Sequence, residues 1–495
     1  MKIELQVIGS ALRAVAEEMG AVLVRSAFSA NIKERRDCST ALFAADGRMI
    51  AQAEHIPVHL GAMPEAVAAV RAEDPGPDDV YIVNDPYTGG THLPDITLVS
   101  RTALGFAVTR AHHADVGGSE PGSMPAQSRT LDEEGVVIPP TRLDETVLAE
   151  LVSRMRNPDE RRGDLRAQLA AHRLAEQRVA ELSSRFGGDR VVAAMDELYA
   201  YSERRVRAAL TRLPHGRYEA TDVLEATEGE LEIHAAVTLG GGNVEIDFTG
   251  TAPQHPGNLN CPLAVTRSAA YFVVRCLTDP DVPASGGAFA PVSVRAPEGC
   301  LVNARPPAAV AAGNVETSCR IVDVLLAAFG AAVPVPAQGQ GTMNNLTFGN
   351  ERFTYYETIG GGQGACPESG GPDGVHVTMS NTLNTPVEAL ELAYPLRVRR
   401  YGLRRGSGGP GRFAGGEGVV RELEALEPCR LSIVSERRGR SPAGARGGGS
   451  GAPGRNLLNG EELPAKIALD LAAGDAVTIE TPGGGGFGMS EEGDG

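Results

Sequence analysis

The chain has 495 residues, 42% of them hydrophobic, which suffices for a large core and suggests roughly two to four domains. Its 46 basic and 63 acidic residues leave a net charge of −17 and exclude the broad basic footprint of a nucleic-acid-binding protein. No window approaches the ~18 uninterrupted apolar residues of a membrane span, the N-terminus lacks a signal-peptide apolar region, and the 7 scattered cysteines form no CxxC, so a cytoplasmic protein without a disulfide framework or zinc ribbon is expected.

Apolar residues at three- and four-residue steps, among them Leu5, Ile8, Leu12, Val15 and Met19, predict one long helix over residues 3–33. The segment "STALFAADGRMIAQ" then reads as a β-hairpin turning at Asp46-Gly47. A short helix, "PEAVAAVRA", precedes a strand in "DDVYIVNDPYTGG", which ends in a turn at Asn84-Asp85-Pro86. "DITLVS" and "GFAVTRA" are two more strands joined by a short loop. Residues 141–212 are helical, broken at Pro158 and at Gly187-Gly188. From residue 216 onward "YEATDVLEA", "ELEIHAAVTLG" and "NVEIDFTG" alternate as strands, and "VTRSAAYFVVRCL" and "TSCRIVDVLLAAFG" read as buried helices. Near the C-terminus the glycine-rich stretches "GSGGPGRFAGGEG", "GARGGGSGAPG" and "TPGGGGFG" read as turns. The expectation is a mixed α/β (α+β) fold in three regions: 1–140, 141–212 and 213–495.

The densest chemistry lies in "GGTHLPDITLVS" (89–100) and "RAHHADVGG" (110–118). If Ser100 pairs with Phe106, Pro94 and Asp95 lie opposite His112 and Ala111. Facing β-carbons are about 4.5–5.5 Å apart, so His92, Asp95 and His112 should converge. Two imidazoles and a carboxylate suit Zn, Fe or Mn and leave room for water, and a further carboxylate would complete the set. The competing reading makes His112 and His113 ordinary hairpin-end residues and Asp95 a turn cap. His55 and His59, separated by Pro57, either add an imidazole to this site or are surface and core residues.

Other chemistries find little support. A Walker loop is excluded, because none of Lys2, Lys33 and Lys466 follows glycine or precedes Ser/Thr. "DVGGS" matches an actin-like phosphate loop only briefly, so ATP binding by this chain itself is not expected. There is no GxSxG and no SxxK, and Cys366, the one cysteine in a loop-like context, reads as a structural thiol.

Several long segments occur together and in order: "ERRDCSTALF", "HIPVHLGAMP", "VNDPYTGGTHLPDITLV", "RAHHADVGG", "GNLNCPLAVTRSA", "AAGNVETSCRIVDVLLAAF", "MSNTLNTPVEALE", "YGLRRGSGGPGRFAGGEG" and "PGGGGFG". Through them nearly the whole chain resembles the hydantoinase B family, which also includes the hydrolytic half of 5-oxoprolinase, an ATP-dependent caprolactamase subunit and the acetone carboxylase large subunit. The resemblance implies a divalent metal held by Asp37, His92, Asp95 and His112. It places His113, Asp115, His59 and Asp85 as groups around the metal or substrate, and in the mechanism expected of such a site Asp115 or His113 is the catalytic proton shuttle. It further implies a hetero-oligomer in which a hydantoinase A-type subunit uses ATP to activate a cyclic amide or imide that this chain hydrolyses. The alternatives are an acetone-carboxylase-like carboxylase subunit and a non-catalytic scaffold with a structural metal. One departure is the segment between "DITLVS" and "GFAVTRA", which is shorter than the family usually carries.

Overall fold

The computed structural model describes residues 3–54 and 56–489, so the expectation for His55 lies outside the described residues. With about 31% helix and 26% strand spread over several sheets, neither class dominates and the fold is mixed α/β, as the patterning implies. Among the described residues no helix is long and apolar enough to cross a membrane.

The N-terminal sheet comprises β1 (Cys38–Ala44), β2 (Met49–Glu54), β3 (Val80–Val83), β4 (Asp95–Thr102), β5 (Gly105–His112) and β6 (Thr141–Arg142). Their order is β2-β1-β5-β4-β3-β6, antiparallel throughout. Both faces are covered, which is why β1 and β5 are buried along their whole length instead of alternating. On one face Leu42, Ala107 and Ala111 pack against Ile8, Leu12, Ala171 and Val191 of three helices, Ile3–Ser26, Pro158–Phe186 and Gly188–Leu210. On the other, Phe43, Val99, Phe106 and Val108 join a larger core. That core holds a second sheet, β7 (Gly216–Glu225), β8 (Glu230–Gly240), β9 (Asn243–Asp247) and β10 (Val292–Arg295), with the helices Leu263–Leu277 and Ser318–Phe329. Two further sheets between Asn345 and Glu480 build the C-terminal layer.

Three local expectations change. The first helix ends at Ser26, not near residue 33, because Asp164 Oδ1 accepts hydrogen bonds from the backbone N–H of Phe28 (2.8 Å) and Ser29 (3.1 Å). A separate turn, Ala30–Lys33, follows.

The β4–β5 register is one residue from the expected one: Ser100 pairs with Ala107, and Asp95 lies directly opposite His112. The strands close around a two-residue loop, Ala103-Leu104, of the length that suits strand twist best. Because strand side chains alternate faces, the expected register would have put Asp95 and His112 on opposite faces, whereas the observed one puts them on the same face.

The glycine-rich stretches are only partly turns: the chain turns at residues 405–406 and 446–447, as expected, but the last stretch does not. Residues 482–488 run as an extended segment hydrogen-bonded to backbone on three sides, for example Gly484 N to Gly416 O (2.9 Å), Gly485 N to Gln338 O (2.8 Å) and Gly486 N to Gly449 O (2.9 Å). A Cβ on Gly484 would sit 2.0 Å from Gln363 O, and one on Gly486 2.1 Å from Pro410 O, so only glycine permits this backbone-to-backbone packing.

Candidate metal centre

Three strands meet where β1 begins, β4 begins and β5 ends. Asp95 is the first residue of β4 and His112 the last of β5. Asp37 precedes β1 and is tied to the same place, since its carbonyl accepts the His112 N–H (3.0 Å). His92 sits in the loop before β4, where Asp95 N–H donates to His92 O (3.1 Å) and Thr91 Oγ1 donates to Asp95 Oδ2 (2.5 Å). The tight turn through Pro94 thus folds His92 back onto the aspartate three residues later.

The atoms that could ligate a metal form a nearly equilateral triangle. His92 Nε2 to Asp95 Oδ1 is 3.1 Å, His112 Nδ1 to Asp95 Oδ1 is 3.2 Å, and His92 Nε2 to His112 Nδ1 is 3.2 Å. A cation with bonds of about 2.1 Å would have ligand–ligand edges of about 3.0 Å at right angles and about 3.4 Å at tetrahedral angles. The observed edges fall between these values. Two imidazoles and one carboxylate on one triangular face are a donor set for Zn, Fe or Mn. All three residues are buried, and they line a cavity of about 20 Å³ together with Asp37, His59 and Tyr356. That volume accommodates about one water. A larger cavity, about 870 Å³, lies elsewhere beside the helix Ile3–Ser26 and β2 and is lined by no histidine or cysteine.

The electrostatics suit a cation. Burial raises the Asp95 carboxyl, but the imidazoles of His92, His112 and His59 outweigh it and hold the group well below the usual carboxylate range. Burial lowers His112 to about 4, against the pull of Asp95, so at neutral pH its ring is an uncharged donor. Neutral imidazole and ionised carboxylate are the protonation states that bind a divalent ion. Burial and the charge of Asp95 push Asp37 up to about 7, and a cation in the cluster would reverse that shift.

The remaining expected residues fare differently. His59 is brought in: its Nδ1 lies 3.0 Å from Ser39 Oγ, and its Nε2 lies 3.5 Å from Asp95 Oδ2 without a hydrogen-bond partner. His113 is turned away. One residue past His112, it faces the other side of the sheet, with Nε2 3.0 Å from Gln168 Oε1 of the covering helix. Asp115 does not line the cavity; its oxygens accept the N–H groups of Gly117 and Gly122 (2.7 Å each), and Arg156 pairs with it at 3.1 Å. Asp85 also stays outside, accepting Tyr87 N–H (3.0 Å) in its turn. The strand-end alternation separates His113 from the cluster, and local turn formation occupies the two aspartates.

The structure adds residues that the spacing of motifs did not single out. Tyr356 stacks on the His112 ring (4.7 Å between centroids, 13° between planes), and its hydroxyl donates to Asn345 Oδ1 (2.8 Å). Asn314, Thr358, Ser380 and Thr382 line the same cavity. Asn314 and Ser380 stand in two of the long segments quoted above, but neither carries a metal-ligand spacing.

A family model described as Hydantoinase B/oxoprolinase matches residues 1–490. The 5-oxoprolinase 1 of Arabidopsis thaliana is 39% identical over 99% of this chain, which spans only 42% of that protein. A putative D-/L-hydantoinase B-type subunit from a Pseudomonas species is 31% identical, with 98% of this chain and 90% of that protein covered. Among solved structures, an ATP-dependent caprolactamase from Pseudomonas jessenii aligns with a TM-score of 0.92 at 29% identity, covering 98% of this chain and 91% of the other.

Proposed function

Because the chain belongs to the hydantoinase B/oxoprolinase family, we propose that it is the hydrolytic subunit of an ATP-dependent enzyme that opens cyclic amides or imides. The observation that carries this reading is the triangle of His92, Asp95 and His112 at 3.1–3.2 Å. The Pseudomonas relative is named as one subunit of a hydantoinase, which supports a partner, taken here as a hydantoinase A-type ATPase.

In this reading the partner transfers the γ-phosphoryl group of ATP to the amide oxygen. His92, Asp95, His112 and Asp37 hold a divalent ion, Zn, Fe or Mn. When bound, such an ion supplies Lewis acidity that acidifies water towards neutral pH. Water adds to the activated carbon, the C–N bond breaks, and a proton goes to the ring nitrogen. The acyl phosphate left behind takes up a second water to give a carboxylate and inorganic phosphate. His59 is the group positioned to move these protons, since Ser39 orients its ring and its Nε2 has no hydrogen-bond partner among the described residues. It takes the place of His113 and Asp115, which lie outside the cavity.

The test is purification with the partner subunit, followed by metal analysis and ATP-dependent ring opening of hydantoins, 5-oxoproline and lactams. His92→Ala should lose the bound metal and the activity together. Unchanged metal content and turnover in that variant would sink the site, and full activity of the isolated chain without ATP would sink the two-subunit scheme.

A further inference from the structure

A second polar cluster adjoins the same cavity, with hydroxyls in its wall and Arg35 behind them. Arg35 is 0% exposed, and among the described residues no carboxylate pairs with its guanidinium. Its Nη2 donates to Thr358 O (3.1 Å), Thr358 Oγ1 (2.6 Å) and Thr382 Oγ1 (2.8 Å). Its Nε and Nη1 have no hydrogen-bond partner among the described residues. The two threonine hydroxyls are 2.8 Å apart. His376 joins them, with Nε2 3.2 Å from Thr382 Oγ1 and Nδ1 2.6 Å from Ser380 Oγ. Thr358, Ser380 and Thr382 line the cavity that Asp37, His92, Asp95 and His112 also line.

A buried guanidinium without a carboxylate is costly, and core packing alone does not account for it. Asp37 feels the charge of Arg35, but among the described residues forms no ion pair with it, and Asp37 belongs to the candidate ion cluster. Free guanidinium N–H groups beside several hydroxyls match an oxyanion with three acceptor oxygens. Burial and the charge of Arg35 lower His376 to about 3, so this histidine brings hydrogen bonds without adding charge.

We propose that Arg35, Thr358, Ser380 and Thr382 form an anion subsite that holds the phosphoryl group of the activated substrate and then the inorganic phosphate released. The identity of the phosphoryl group rests on the function proposed above; the anion subsite itself rests on Arg35 and its hydroxyl neighbours. At about 20 Å³ the cavity is smaller than a phosphate, so entry requires its walls to move apart.

The test is calorimetric titration of the full chain, as purified with its metal, with inorganic phosphate and separately with acetate. Phosphate should bind at least about tenfold more tightly than acetate, which separates a phosphoryl subsite from one for a substrate carboxylate. Arg35→Lys and Thr382→Val should each weaken phosphate binding by about tenfold, with metal content and thermal unfolding unchanged. Thr382→Val removes one hydroxyl only and guards against a folding defect in the arginine variant. Phosphate binding no tighter than acetate, or equal in wild type and Thr382→Val, would overturn the subsite and leave contact with the ion alone. Phosphate held by these residues in a chain whose complex opens no ring supports the subsite and retires the proposed function. Ring opening whose kcat, KM and phosphate inhibition are untouched by Thr382→Val retires the subsite alone.

Discussion

His112 is held by three different contacts: its strand partner Asp95, the stacked ring of Tyr356, and its own N–H bonded to the Asp37 carbonyl. Replacing it with alanine leaves the backbone bond but deletes a corner of the triangle. His112→Ala should lose its metal and at least about a hundredfold in ring-opening activity, with the unfolding midpoint little changed; elemental analysis and turnover assays check this. A different buried histidine contributes to acid stability. His172 lies between Ser100 Oγ (2.6 Å) and Thr109 Oγ1 (3.0 Å), and burial lowers it from 6.5 to about 3. Between those values the unfolded chain binds a proton that the native chain refuses. The contribution is therefore intact above about pH 6.5 and is lost as the pH falls towards 3. His172→Gln should narrow the difference in urea midpoint between pH 7 and pH 4.5 by the equivalent of a few kcal/mol. His92, Asp95 and His112 were legible in the sequence because two neighbouring strands, and the loop that enters one of them, carry them. Asp37 came only through the family resemblance, and Arg35, Thr358 and Tyr356 through neither route, since tertiary packing alone joins them to the cluster.

Single elements show where local pattern stops. The strands β4 and β5 are plain in the sequence, but their register depends on a two-residue loop, and that register decides whether Asp95 and His112 share a face. The first helix has helical periodicity past its real end, and a distant aspartate, Asp164, terminates it. Before the helix Ser318–Phe329 the chain makes one wide π-helical turn, Gly313–Thr317, which carries Asn314 to the cavity. That turn presses so close to its neighbour that a Cβ on Gly313 would lie 1.7 Å from Asn260 O. Since the obstacle is backbone, Gly313→Ala should cost about 2–3 kcal/mol in chemical denaturation and also depress turnover through displacement of Asn314.

At the scale of the whole molecule, the C-terminal layer depends on the glycine segments. Gly484→Ala should cost about 3 kcal/mol or more, because the new methyl meets Gln363 O at 2.0 Å, while Gly402→Ala, with nothing within 4 Å, should stay within about 0.5 kcal/mol. Urea denaturation of the pair separates close packing from mere glycine content. Composition announced the glycines but not their use: an extended segment and a turn look alike in such stretches, and only the partners of the backbone N–H groups distinguish them. There is also a consequence in time. Residues 482–488 bond to backbone at 338–365, 409–416 and 445–452, all of which leave the ribosome first. Those stretches must wait with open hydrogen-bonding edges until the inner segment is synthesised. Each nascent chain is thus exposed to mispairing at these edges until translation has passed Gly488.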